Sequence, residues 1–151
     1  MNKPTYSWNK ETLTATVIMT DTNGRQYKGE AHCHPDDADF GNELVGMEIA
    51  TQRAIIEVLK SAKRDSLEPA LRALKQVYYS MSQSKKFNPE SYENIMLWRQ
   101  IHLIENDLAT IKEELAERKK NLKEYLKEKE NSYIKIRAMR SSKTNRTELN
   151  N

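Results

Sequence analysis

The chain has 151 residues, enough for one ordinary domain or for a small domain with a long appendage. Only 37% of it is hydrophobic, 31% is charged and the mean hydropathy is -0.88, which excludes a thick single core. No apolar run nears the ~18 residues of a bilayer span, no signal-peptide hydrophobic region follows Met1-Asn2-Lys3-Pro4, and the one cysteine, Cys33, makes no internal disulfide, so a soluble cytoplasmic protein is expected.

The first 34 residues read as β. Tyr6-Ser7-Trp8 is a short aromatic run before a turn at Asn9-Lys10, and Leu13 to Met19 is β-branched enough for a central strand. Asn23-Gly24 then predicts a tight hairpin in which both central residues take positive φ. On the return strand, Gln26 to Cys33, alternation puts Tyr27, Gly29, Ala31 and Cys33 on one face, which needs a cover.

The cover is the next segment. A broad apolar stripe from Leu44 to Leu59 predicts an amphipathic helix over 43–63. Ser66 predicts the cap of a second helix, with Glu68 and Pro69 in its first turn and Leu67, Leu71, Leu74, Tyr78 and Met81 on its apolar face. Asn88-Pro89 predicts a third start, cap then first helical position, and no glycine or proline interrupts the chain from there to Met139. Such a helix would be about 75 Å long, too long for one small core to flank. Its seam of Ile101, Ile104, Leu108, Ile111, Leu115, Leu122 and Tyr125 is narrow, broken by Arg118 and continued in shifted phase by Leu126, Tyr133 and Ile136. Flanked by Glu and Lys, it reads as helical pairing, within the chain as an antiparallel hairpin or between subunits; the lack of a break favours the second.

The formal charge of +3 is unevenly spread. Residues 132–151 hold 5 Lys+Arg against 1 Asp+Glu, while the two preceding stretches balance. The expected organisation is α+β: residues 1–87 form a small antiparallel sheet packed on helices, residues 88–139 a long oligomerisation helix in a coiled-coil or helical-hairpin bundle, and residues 140–151 a disordered basic tail. Five dispersed charges without aromatic interleaving give no expectation of nucleic acid as a partner.

Two constellations could carry chemistry. In His32-Cys33-His34 the two histidines share a strand face while the thiol points away, so neither a metal site nor a nucleophile-base pair is expected, and with it no cofactor and no catalysis. Arginine, aromatic and amide residues offer more: Arg53 interrupts an apolar stripe, Tyr78 and Tyr79 end the second helix, Asn88 opens the third and Arg99 follows Trp98. Guanidinium, planar ring and amide are what nucleotide recognition needs, and equally they serve as packing anchors and salt-bridge partners.

A β-hairpin ending in Ala31-His32-Cys33-His34-Pro35-Asp36-Asp37, a link through Phe40, the pattern Gly46-x-x-Ile49-Ala50-x-x-Arg53-Ala54 and then long antiparallel helices resembles the phage anti-Thoeris family of nucleotide-signal sponges. The likeness covers residues 11–64 by motif and the rest by architecture. It implies a non-enzymatic protein in the host cytoplasm, a dimer or higher homo-oligomer without membrane contact, that sequesters cyclic ADP-ribose isomers without cleaving them. It also implies a pocket built from arginines, an aromatic and an asparagine, carried over to Arg53 by motif and to Tyr78, Tyr79, Asn88 and Arg99 by type and position. The alternative is a coiled-coil adaptor with no small-molecule ligand.

Overall fold

A computed structural model describes residues 3–33 and 43–150, with side chains through residue 141. The expectations placed on His34, Pro35, Asp36, Asp37 and Phe40 lie outside the described residues. The architecture is α+β: a three-stranded antiparallel sheet followed by helices, the last of them very long.

Strands β1 (Thr5–Asn9), β2 (Thr14–Thr20) and β3 (Gln26–His32) lie in the order β1-β2-β3. Register pairs Trp8 with Ala15, Ala15 with Ala31, and Val17 with Gly29, so the small and apolar residues share one face. Ala15, Val17, Met19 and Ala31 are buried there while the threonines of β2 alternate outward. Two turns differ from expectation. Leu13, expected in the strand, closes the first hairpin at φ +51, beside an Asn9 Oδ1 that accepts the N–H groups of Glu11 and Thr12 at 2.9 and 3.1 Å. That left-handed residue costs about 1–2 kcal/mol, which burial of one side chain such as Val17 at about 1.5–3 kcal/mol offsets. In the second hairpin only Gly24 has positive φ, at 84°; Asn23 does not, because Thr22-Asn23-Gly24 forms a three-residue loop. Asp21 holds it, its Oδ1 accepting from Asn23 and Arg25 N–H at 2.9 and 3.0 Å. Burial pushes that carboxyl up, but those two donors, the Tyr27 hydroxyl and the Arg25 charge outweigh it and keep the carboxyl below its ordinary value.

The chain divides into two units, one of Met1–Ile55 with Arg118–Asn151, the other of Ile56–Glu117. In the first, α1 (Glu43–Ser61) lies on the sheet through a stripe of small residues, Gly46, Ala50 and Ala54, spaced four apart on one face. A Cβ on Gly46 would come 3.1 Å from the Ala15 Cβ and 3.2 Å from the Trp8 ring. A Cβ on Gly29 would run into the backbone of Ala50 and Ala54. The C-terminal half of α3 (Tyr92–Asn150) runs antiparallel to α1: Arg118 Nη1 donates to Gln52 Oε1 at 3.3 Å and the Tyr125 hydroxyl to Glu48 Oε2 at 3.0 Å.

In the second unit, α1 passes into a π-helical stretch, Ala62–Leu67, and on into α2 (Glu68–Ser82) with αR backbone at each junction. Ser66 therefore caps nothing, contrary to expectation. Pro69 gives the reason, since it has no N–H and its ring crowds the carbonyl four residues back; the widened turn, with Glu68 N–H bonding the Lys63 carbonyl, absorbs it without ending the helix. The start of α3 also moves. Asn88-Pro89-Glu90-Ser91 is a turn, Ser91 N–H to Asn88 O at 3.1 Å, and the first helical bond is Ile95 N–H to Ser91 O at 3.0 Å. Asn88 thus shapes the turn, proline taking its second position, and Ser91 caps the helix.

Asn94, Ile101, Leu108 and Leu115, seven residues apart, are each only 6% exposed. That seam is spent inside the chain, which corrects the preference for pairing between subunits. Lys75 on α2 faces Glu105 on α3 at 3.8 Å, and Tyr78 meets Phe87 edge to face at 5.7 Å, so α3 has an antiparallel partner of its own. The sequence showed α2 as an amphipathic helix but not that it would cover α3, since an apolar face does not name the segment that packs on it. The backbone of α3 is helical as far as Asn150, past the end expected at Met139; without glycine or proline an established helix propagates at little cost. Among the described residues no helix is long and apolar enough to cross a membrane.

Candidate functional site

Within the first unit a cleft of about 280 Å³ opens where β3 ends beside α1 and α3. Three elements deliver its walls. The end of β3 brings Ala31, His32 and Cys33, and the first turns of α1 bring Val45, Gly46 and Ile49. Helix α3 supplies Leu126, Lys129, Glu130, Tyr133 and Arg137, spaced three or four apart and so presented on one face. Val45, Ile49 and Leu126 make the apolar part, while Lys129, Arg137 and His32 bring donors around a tyrosine ring. Apolar walls with a few converging polar groups are the usual make-up of a small-molecule site, and this volume lies near the lower end of such sites.

The polar groups are positioned by their neighbours. Lys129 Nζ sits 5.3 Å from the centre of the Tyr125 ring, an attraction between ammonium and ring face. Burial, then the hydrogen bond and charge of Glu48, pushes the Tyr125 hydroxyl up to about 12, so it remains a donor over the whole neutral range. At the sheet edge the Thr14 hydroxyl and His32 Nδ1 lie 2.8 Å apart, and His32 Nε2 is 3.6 Å from Glu30. Glu30 also pairs with Lys28, whose hydrogen bond and charge hold that carboxyl below its ordinary value.

The sequence-derived candidates separate. Arg53 lies in the first unit and its Nη1 donates to the Glu30 carbonyl at 2.7 Å. Cys33 N–H bonds Leu13 O, so odd residues of β3 face β2 and even ones turn their backbone groups to the open edge; Arg53 covers one of those carbonyls. Tyr78, Tyr79, Asn88 and Arg99 lie in the second unit. Tyr78 and Asn88 each serve the α2–α3 connection, Tyr78 against Phe87 and Asn88 in the turn, where its carbonyl accepts from Asn94 Nδ2 at 2.7 Å. Tyr79 is exposed, and Arg99 stands on the outer surface of α3 beside Ile95, Trp98 and His102. Lys129, Tyr133 and Arg137 were not among the candidates. The available signal was the four-residue step from Leu122 to Leu126, which keeps Leu126 and Tyr133 within about 20° of Leu108 and Leu115 and so carries the apolar seam on past Arg118.

Among the described residues no group of three His, Cys, Asp or Glu is placed to hold a metal ion, and His34 lies outside them. Comparison with protein-family models, with curated proteins and with solved structures finds no match to this chain.

Proposed function

We propose that the protein captures a phosphate-bearing small molecule of the cyclic-nucleotide class in this cleft and holds it intact. In a phage-infected cell it would act as a sponge for an immune signal, a cyclic ADP-ribose isomer being what the family resemblance implies. The observation that carries the reading is one cleft joining an apolar wall, the Tyr133 ring and the cations Lys129 and Arg137. A ring and apolar side chains suit a base or ribose face, and two cations suit a phosphate. The single cysteine, Cys33, and the exposed His32 work as binding groups here, not as a nucleophile and base, so the ligand leaves as it entered.

The test is capture and release: incubate purified protein with a panel of cyclic nucleotides that includes cyclic ADP-ribose isomers, denature it, and analyse the released material by mass spectrometry. Intact ligand, lost from a Lys129→Ala, Arg137→Ala variant that melts normally, is the expected result. Cleaved products, or no capture of any panel member, would refute the reading. A second reading, an adaptor that binds a protein, is favoured by exposed Tyr92, Ile95 and Trp98 on α3 and would then take its place.

A further inference from the structure

A second groove runs along α3 within the first unit, lined by Lys119, Leu122, Lys123, Leu126, Lys127 and Glu130. It adjoins the cleft through Leu126 and Glu130, but none of the three lysines lines that cleft. Leu122 and Leu126, both half-buried, form its floor, and Arg118 and Tyr125, which bond to α1, lie on their other side. At 100° and about 1.5 Å per residue the lysines fall within an arc of about 80°, one every ~6 Å along the axis. All three are exposed, and among the described residues none of them makes an ion pair. Like charges four residues apart on a helix repel, so this row weakens the helix that carries it, and Glu130 at its far end is the one acid in the groove.

We infer that this groove docks a different protein through an acidic amphipathic helix, whose leucine-type side chains cover Leu122 and Leu126 while a row of Glu or Asp meets the three lysines. Charge complementarity argues for that occupant. A leucine floor with lysines every fourth residue along its open side is half of a helix pair, and the missing half carries the opposite sign on the flank it presents. A second copy of this chain does not supply it. An antiparallel two-fold sets each lysine row against the other, and a parallel one turns the row toward the flank that α1 already takes. A nucleic-acid strand fits less well, because no aromatic ring stands in the groove to stack a base and the leucines would lie against phosphate. A helix covers the leucines and answers the charge together, with the lysine stems adding apolar contact beneath their ammonium groups.

The probe is a labelled helical peptide of about three heptads with leucine at a and d and glutamate along one flank, compared with a scrambled peptide of the same composition, a lysine-flanked peptide and a poly-dT strand of about 20 nucleotides. Titrated with the full-length chain and followed by fluorescence anisotropy, the glutamate peptide should bind in the micromolar range and the scrambled one at least ~10-fold more weakly. Its affinity should fall several-fold between about 0.1 and 1 M salt, where the screening length shrinks to ~3 Å. Lys119→Glu, Lys123→Glu and Lys127→Glu together should weaken it at least ~10-fold and make the lysine-flanked peptide the better ligand, a reversal that reads the groove even if the variant melts lower. Lys85→Glu with Lys86→Glu, exposed residues of the other unit, should leave binding unchanged. No binding of the glutamate peptide up to about 100 µM, binding that the triple variant leaves intact, or equal binding of the scrambled peptide would overturn the proposal. So would poly-dT held more tightly than the peptide and released by the triple variant, which would make the groove a nucleic-acid site.

Discussion

At Gly29 a single hydrogen stands where any other residue would carry a Cβ, and the backbone of Ala50 fills that space. Gly29→Ala should therefore push α1 off β3 and cost about 3 kcal/mol or more, above the usual overpacking range because main chain must move. Thermal unfolding followed by circular dichroism reads that loss, and an unchanged melt would show that the helix does not lie so close. Arg53 was legible as an unusual cation in an apolar stripe, but the sequence could not say what it meets. The structure gives it the Glu30 carbonyl at 2.7 Å, a charge-assisted bond worth about 1.5–3 kcal/mol. Arg53→Ala should lower the melting temperature while ligand capture persists, with Arg53→Lys recovering part of the stability; lost capture at normal melting would return Arg53 to the site. Tyr125 gives a pH dependence of known sign. Its folded hydroxyl titrates near 12, above the ordinary 10, so the bond to Glu48 contributes fully below pH 10 and is lost as pH rises from there through 12. Phenolate absorbance should show a step near 12 that Tyr125→Phe removes, and a step surviving that substitution would reassign it.

Elements were legible where one physical rule acted alone. Strand alternation survived into the structure because the buried face of β2 has no competing pattern, whereas α1 meets the sheet through Gly46, Ala50 and Ala54 and leaves Leu44, the first residue of its expected stripe, exposed. Boundaries failed where two rules competed. Ser66 and Pro69 are both helix-start residues, yet the chain stays helical through them, the widened turn taking up the missing Pro69 N–H. Asn88-Pro89 lost to Ser91 because an asparagine carbonyl and amide already engaged in a turn leave the serine hydroxyl nearest the first free N–H groups. The seam of α3 was visible, its partner was not, since an apolar stripe states what must be covered and not by which segment. Leu108→Asp and Leu115→Asp should each cost about 3 kcal/mol or more, because each puts a carboxylate where only 6% of the residue is exposed. That loss should appear in the monomer at any protein concentration; melting that changes only with concentration would place the seam between chains instead.

For the whole molecule, composition was the best guide to class and the poorest to site. Low hydropathy and dense charge argued against a thick single core, and the lack of glycine and proline after Pro89 predicted the long helix that the structure has. The cleft was hidden because its residues come from three stretches spread over about a hundred positions, and no spacing rule links Cys33, Ile49 and Tyr133. The basic balance at the end of the chain was plain; that Lys129 and Arg137 turn toward β3 depends on the phase of a helix whose partner had first to be found. The π-helical stretch carries a last consequence, for the editing of the chain. A π turn holds about one residue more than the α turn it replaces, so closing it into an α turn by removing one residue would leave the residues beyond it on their present faces. One residue deleted between Ala62 and Leu67, together with Pro69→Ala, should close the stretch into α-helix and keep Val77, Tyr78 and Met81 on their present faces. The same deletion one turn earlier in α1 or later in α2 would turn every side chain after it by about 100°. A deletion scan across residues 56–80, scored by melting temperature, should thus tolerate a one-residue gap best within Ala62–Leu67.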